Sequence, residues 1–221
     1  MFSVAIDGPA GAGKSTIAKA AASQLGFIYV DTGALYRAIG LFCIDNGISS
    51  DDTSSVEEGL ERINIELVFV EGVQRVILCG KDVSDDIRTE QVSMMASEIS
   101  KLPAVRKFLL GLQRGFAEKN DVIMDGRDIG TVVLPDADVK IFLTASAESR
   151  AKRRTLQLEE KGETPDYDKI LEDIKKRDYN DSHREIAPLK PADDGIIVDT
   201  TELTLDESIE KIREIISGRM N

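Results

Sequence analysis

The chain has 221 residues, a formal net charge of -12, 42% hydrophobic residues and 31% charged residues. That length suits one α/β core with insertions and is short for two large domains, and the ordinary apolar content excludes wholesale disorder. The acidic excess argues against a protein that coats nucleic acid, because such affinity comes from Lys and Arg neutralising many phosphates. Small anionic ligands respond only to the local field, so a local cluster of arginines would be informative.

Residues 2–6 form a short, mostly apolar run that suits a buried parallel strand. No basic segment with a long apolar run precedes it, so no signal peptide is expected. No stretch approaches the ~20 apolar residues of a membrane span, and no membrane association is expected. The run leads directly into Gly8-Pro9-Ala10-Gly11-Ala12-Gly13-Lys14-Ser15, which fits G-x-x-x-x-G-K-[ST], and then into an Ala-rich helical pattern from Thr16 to Leu25. Glycines let the backbone curl so that N–H groups point at phosphate oxygens, and the helix N-terminus adds its positive end. Residues 8–16 therefore read as a nucleotide-phosphate loop, with Lys14 reaching the β- and γ-phosphates of ATP and the Ser15 hydroxyl as a Mg²⁺ ligand. Asp7, just before the loop, either helps hold Mg²⁺ through water or fixes the loop, the structural role being favoured.

A second strand is expected at 27–30, followed by Asp31-Thr32-Gly33-Ala34-Leu35-Tyr36-Arg37. Thr32-Gly33 ends the strand and opens a helix, which puts Arg37 near the C-terminal edge of the sheet, where open α/β folds bind ligands. Cys43 and Cys79 lie in apolar stretches, with neither a disulfide framework nor metal-ligand spacing. They read as reduced core residues of a cytoplasmic protein. Residues 63–70 and 73–79 are two β-like runs across Glu71-Gly72, a hairpin signature, and 81–83 add a third. A strand at 122–124 ends in Asp125-Gly126-Arg127-Asp128, four polar residues where this architecture builds sites. Each carboxylate there is either a site residue or a cap.

Another strand is expected at 139–143, and Ser146 is placed to cap the helix that follows. On that helix Arg150, Arg153 and Arg154 fall at i, i+3 and i+4, on one face. Arg177, Asp181 and Arg184 fall at i, i+4 and i+7 on the next helical segment, with Pro188 ending it. His183, the sole histidine, faces elsewhere and reads as a surface residue. A strand at 195–198 and an amphipathic helix at 205–216 complete the chain. Five strands separated by helices imply, through right-handed crossovers, a three-layer α/β fold with a five-stranded parallel sheet.

The loop alone leaves GTPases, motors and small-molecule kinases open. The sequence contains no Asn-Lys-x-Asp and no Asp-x-x-Gly motif, which disfavours a GTPase. Beyond the loop, the segments 31–37, Val83-Ser84-Asp85-Asp86-Ile87-Arg88, Asp125-Gly126-Arg127-Asp128-Ile129-Gly130-Thr131 and Arg184-Glu185-Ile186-Ala187-Pro188-Leu189 resemble the bacterial cytidylate kinases over nearly the whole length. One departure is Thr32, where that family often has Ser.

The resemblance implies a P-loop kinase core at 1–59, 101–145 and 190–221. It also implies a small β-containing monophosphate-binding insertion at 60–100, and a lid with its following helix at 146–189. It implies transfer of the γ-phosphoryl group of ATP to CMP, and to dCMP, with Mg²⁺, by a monomer. Arg37 and Arg127 would hold the acceptor phosphate. Asp128, with Thr32 and Arg106 nearby, would meet the base, and Ser97, Arg177 and Asp181 the ribose, with Arg184 at the acceptor nucleotide. A carboxylate accepts from cytosine N4 and opposes uracil O4, so Asp128 would favour cytosine. Arg150, Arg153 and Arg154 would form the basic lid over ATP, with Lys14, Arg127 and Arg154 acting on the transferring group. Read without the resemblance, Arg106 is a solvated helix residue, Ser97 a helix-surface residue, and the 177–184 set a salt-bridge ladder. Two rivals remain open: a kinase for another acceptor such as UMP, AMP or an alcohol, and a non-enzymatic nucleotide-sensing module.

Overall fold

The computed structural model describes residues 1–220. The centre of the fold is set by two apolar strands, β1 (Ser3–Asp7) and a later partner at residues 122–126, which pair in parallel with Ser3 against Val122 and Asp7 against Gly126. Val4, Ala5 and Ile6 are fully buried, as are Val122, Ile123 and Met124. Continuous apolar runs of this kind belong to parallel strands covered on both faces.

From β1 the chain passes through the glycine loop into α1 (Lys14–Leu25), then β2 (Ile28–Asp31) and α2 (Thr32–Asp45). Next come α3 (Thr53–Leu60), β3 (Ile65–Val70), β4 (Val73–Leu78), the two-residue β5 (Lys81–Asp82), a 3₁₀ turn at Asp86–Arg88 and α4 (Glu90–Ile99). Then follow α5 (Pro103–Ala117), β6 (Val122–Gly126), a π-helical turn at Ile129–Val133 and β7 (Val139–Thr144). The chain closes with α6 (Ala147–Glu159), α7 (Tyr167–His183), β8 (Ile196–Asp199) and α8 (Leu205–Met220).

The main sheet is parallel throughout, in the order β2-β6-β1-β7-β8. The five expected strands are present, with ends shifted by a residue or two. Ala18, Ala21, Ile212 and Ile216 of α1 and α8 pack with Ile6, Ile123 and Ile141 in one cluster. Ala5, Val30 and Met124 pack with Ala117 and Ile129 in another. These are the three layers. The strand order reverses around β1, so the C-terminal ends of β1, β2 and β6 lie side by side at a topological switch point. Register places Asp31 opposite Asp125, and Asp125 opposite Ile6, at that edge.

A second, antiparallel sheet of β3, β4 and β5 holds the expected hairpin. It is not an independent body: Ile65, Val76 and Leu78 share one core with Leu35 and Ile39 of α2 and with Val105 and Leu109 of α5. The α2–α4 packing depends on Gly40, where an added Cβ would lie 3.1 Å from the Ala96 nitrogen and 3.2 Å from the Val92 carbonyl oxygen.

Three expectations need correction. Cys43 is buried, but Cys79 is exposed. Strand alternation turns Val76 and Leu78 inward, and Cys79 lies beyond the strand with φ 49 in the turn to β5. α1 begins at Lys14 rather than Thr16, directly after Gly13 at φ 90. Arg184 lies one residue past α7 in extended backbone, so it does not continue the helical face of Arg177 and Asp181. The chain folds back there, and the Leu189 N–H donates to the Asp181 carbonyl at 2.8 Å, satisfying one of the free carbonyls at the helix end.

Candidate active site

Three strand ends and two helix starts converge on one cleft. β1 delivers the glycine loop. Gly8 has φ 149, and a Cβ there would fall 1.9 Å from the Leu143 carbonyl oxygen of β7. Only glycine lets the loop leave the sheet this close to its neighbour. The Lys14 amine, buried beneath the loop, donates to the Pro9 carbonyl at 2.8 Å. Burial, and then the charge of Arg127, hold that amine well below the usual lysine range, while Asp125 and Asp7 pull the other way.

At the start of α1 the Ser15 hydroxyl donates to Asp125 Oδ2 at 2.6 Å, and the Tyr29 hydroxyl donates to Asp125 Oδ1 at 3.2 Å. Burial and the nearby Asp31 charge raise the Asp125 carboxyl above the usual range, with Lys14 opposing. Ser15 and Asp125 together offer hard oxygen donors at the phosphate loop, which suits Mg²⁺. Among the described residues no group of three or more His, Cys, Asp or Glu side chains is arranged to hold a metal.

β2 ends in Asp31, which caps α2. Its Oδ1 accepts from the Ala34 N–H at 3.0 Å, and its Oδ2 accepts from Arg37 Nη2 at 2.7 Å. Gln74 of β4 clasps the Asp31 backbone, accepting from its N–H at 2.9 Å and donating to its carbonyl at 3.3 Å. The Thr32 hydroxyl donates to the Asp125 carbonyl at 2.7 Å.

β6 ends in the remaining members. Arg127 Nε donates to Asp181 Oδ2 of α7 at 2.8 Å. Asp128 is only 5% exposed, and its carboxylate takes a hydrogen bond from Arg106 Nη2 of α5 and an ion pair at 3.6 Å from Arg184. Arg106 is therefore not the solvated helix residue that it reads as without the resemblance. Arg177 is held below its usual pKa first by burial, then by the charges of Arg127 and, more weakly, Arg37. Among the described residues, Arg37 Nε and Arg184 Nη2 are buried with no hydrogen-bond partner. Buried guanidinium atoms normally find partners, and here an incoming anion can supply them.

One cleft is lined by Ala10, Gly11, Lys14, Ser15, Thr32, Arg37, Ser97, Arg106, Arg127, Asp128, Arg177, Asp181 and Arg184. Gly8, Pro9, Ala12 and Gly13 shape the loop and Thr16 lies in the first turn of α1, and none of the five lines the cleft. The α6 arginines do not act as one basic face. Arg150 is buried, donating to the Ala145 and Ala10 carbonyls at 3.0 Å each and pairing with Asp178. Arg153 Nη2 donates to the Thr200 carbonyl at 2.6 Å, and Arg154 is exposed to solvent. The shared spacing was right, but Arg150 and Arg153 reach partners in different parts of the chain while Arg154 faces solvent. Asp7 turns its carboxylate beyond its own loop: it accepts from the Ile129 and Gly130 N–H groups that follow β6.

Sequence reasoning missed Tyr36, Asp31, Ser93 and Ser100, which also line the cleft. Tyr36 and Asp31 lie inside a motif already singled out, so that motif was the available signal. Asp178 and Gln74 carried none, because their partners are distant in sequence.

The cytidylate kinase family model matches residues 4–218 of this chain. The chain is similar, at 54% identity over 219 residues, to the cytidylate kinase of Lactobacillus johnsonii, covering 99% of this chain and 95% of that protein. It is 53% identical over 214 residues to the cytidylate kinase of Caldicellulosiruptor saccharolyticus, covering 97% and 95%. Among solved structures, an uncharacterized protein from Eubacterium ventriosum superposes with a TM-score of 0.56 at 15% identity, covering 98% of this chain and 99% of that one, a likeness of fold. The site geometry and the full-length match lead to one assignment: the chain belongs to the cytidylate kinase family.

Proposed function

We propose that this chain transfers the γ-phosphoryl group of ATP to CMP, and to dCMP, releasing ADP with CDP or dCDP. The observation that carries it is the buried Asp128 carboxylate set among arginines with unmatched donors, one strand away from the phosphate loop. In this reading the loop N–H groups and Lys14 hold the ATP phosphates. Arg37 and Arg127 grip the acceptor phosphate by planar two-point pairing. Asp128 accepts from the cytosine N4 amine, Arg106 and Thr32 sit at the base, and Ser97, Arg177 and Asp181 meet the sugar, with Arg184 joining them.

The acceptor oxygen is already ionised, so no general base is required. Its bond to the γ-phosphorus forms as the bond to the bridging β-oxygen breaks, and ADP leaves with that electron pair. The protein's contribution is alignment and charge neutralisation. Mg²⁺, when bound by Ser15 with Asp125 nearby, would offset the charge on the phosphate oxygens. Residues 60–100 act as the monophosphate-binding insertion. Residues 146–189 act as the lid and its helix, with exposed Arg154 free to swing toward the transferring group and keep water out. Arg150 instead anchors the Ala10 carbonyl to Asp178, and Arg153 borders the ATP side. The same reading takes the chain to be a cytoplasmic monomer. Among the described residues no helix is long and apolar enough to cross a membrane.

The test is ADP release in a coupled assay with CMP, dCMP, UMP and AMP offered singly. CMP and dCMP should give by far the highest kcat/KM. Equal turnover with UMP would overturn the acceptor assignment, and tight ATP binding without ADP release for any acceptor would favour the sensing module.

A further inference from the structure

The turn after β6 has an unusual division of labour. Asp128 stands at the N-cap position of the π-helical turn Ile129–Val133. Aspartate in that position ordinarily turns its carboxylate onto the first free N–H groups of the helix. Here the Asp128 side chain makes no cap bond; it points to Arg106 and Arg184 in the acceptor cleft. Its backbone carbonyl still serves the turn, accepting from the Val132 and Val133 N–H groups at 2.9 and 3.2 Å.

The first two N–H groups of the turn, those of Ile129 and Gly130, have no cap from Asp128. Both are taken by Asp7, at the end of β1, over 2.8 and 2.7 Å. Asp7 is 3% exposed, and its two carboxylate oxygens accept from the Ile129 and Gly130 N–H groups, one each. Burial raises its pKa to about 6, the two backbone N–H groups offset part of that rise, and Asp128 and Lys14 act on it with opposite signs. A carboxylate kept this deeply buried is costly unless its oxygens are satisfied, and the N–H pair is what satisfies them.

We infer that Asp7 is a positioning residue for base selection: by capping Ile129 and Gly130 from β1, it frees the Asp128 carboxylate to face the acceptor base. Without the Asp7 cap, Asp128 has a competing local use, the one its position favours. Its carboxylate is then drawn back toward the Gly130 N–H group, the second of the turn, and away from the cleft. The inference rests on the reading of Asp128 as the base-contacting residue. It adds that base choice depends on a side chain at the start of the phosphate loop that touches neither nucleotide.

The experiment is the ratio of kcat/KM for CMP over UMP in wild type, Asp7→Asn, Asp128→Ala and the double variant. Asn keeps the shape but turns an NH₂ group toward one of the two N–H donors. Asp7→Asn should lower the ratio about tenfold, part of the discrimination a hydrogen-bonding site achieves. In the Asp128→Ala background the same change should leave the ratio within about twofold, since two residues acting through one contact are not additive. Asp7→Ser, which keeps one acceptor, should show the same pattern in weaker form. A wild-type ratio near one sinks the acceptor reading and this inference with it. A large wild-type ratio that Asp7→Asn leaves unmoved, while both acceptors slow equally, sinks this inference alone. Loss of folding in both Asp7 variants also overturns it, because the residue would then serve the fold and not the choice of base.

Discussion

Asp128→Asn is the sharpest probe of acceptor choice. The substitution keeps the side chain's shape at a position only 5% exposed, so no cavity opens. What changes is charge and donor pattern. A carboxylate can only accept, whereas an amide can accept from cytosine N4 or, rotated, donate to uracil O4. In wild type, uracil would set O4 against a buried carboxylate, and an unmatched buried polar contact costs about 1–3 kcal/mol. With CMP, the charge-assisted bond to N4 is also worth roughly 1.5–3 kcal/mol, and part of that is lost in the amide. The two effects act on the ratio together, so the CMP-over-UMP preference should shrink by a factor on the order of 100, since about 1.4 kcal/mol is tenfold.

Stability must be measured alongside. The carboxylate pairs with Arg106 and Arg184, both largely buried, and removing one partner of a buried pair costs about 3–5 kcal/mol. A folded domain has only ~5–15 kcal/mol in hand. Asn retains an acceptor for one guanidinium and should cost less than Ala; a thermal melt of each variant settles how much. The assay is kcat/KM with CMP and with UMP at saturating ATP. If both fall equally and their ratio stays put, Asp128 organises Arg106 and Arg184 and does not read the base.

Lys14→Ala should cut transfer by a thousandfold or more, on the order of what losing a principal charge stabiliser costs in phosphoryl transfer. Its melting temperature without nucleotide should hold or rise, since the wild-type amine is a buried cation bonded to the Pro9 carbonyl; near wild-type turnover refutes the loop assignment. Asp181→Ala should weaken CMP binding about tenfold by losing a half-buried acceptor and releasing Arg127, with ATP affinity spared; titration calorimetry that finds ATP binding lost and CMP binding intact reverses the placement of α7. Asp125 carries a pH signature. Its folded-state pKa is raised from 3.8 to about 6, so the folded chain holds a proton there that the unfolded chain releases. That contribution is complete below about pH 4 and is lost as pH rises through 6. Urea midpoints of Asp125→Asn should therefore gain on wild type between pH 4 and 7, and a constant difference would exclude the raised carboxyl.

The fold was legible because its signals are local. An apolar run, a glycine loop and an Ala-rich helix follow one another within residues 3–25, and the same logic found the later strands. Cleft residues at strand ends were legible for the same reason: once Ile6, Asp31 and Asp125 end adjacent parallel strands, their neighbours must converge. What spacing could not supply was the partner. Arg150, Arg153 and Arg154 share a helical face, yet Asp178 and Thr200, which take the first two, are set by tertiary packing. Arg184 was assigned to a helix that stops at His183, because the Leu189 N–H closes the turn from beyond Pro188. Cys79 was read from the apolarity of its neighbours when strand parity and the turn after Leu78 decide its exposure. The bond from Asp7 to Ile129 and Gly130 spans more than half the chain and leaves no mark in either local sequence.

The charge arrangement explains how a chain of net charge -12 can hold two polyanions. Its cleft is lined by Lys14 and five arginines against four aspartates, a local reversal of the overall sign. Those aspartates do more than reduce the excess. Asp31 fixes Arg37, Asp181 fixes Arg127, and Asp128 joins Arg106 to Arg184. Four of the five guanidinium groups are therefore held by a carboxylate, so binding need not freeze a free arginine at those positions, a cost of about 0.5–1.5 kcal/mol per side chain. Asp31 and Asp128 are themselves placed by the ends of β2 and β6, whose register is set by an apolar core. Asp181 alone reaches in from α7, which has no buried residue. Under the proposed function the acceptor phosphate would meet two kinds of arginine: Arg37, paired with Asp31 at the end of β2, and Arg127, paired with Asp181 of α7. Under that reading, a change in the position of α7 would act on the acceptor grip through the Asp181–Arg127 pair and leave the Asp31–Arg37 pair in place.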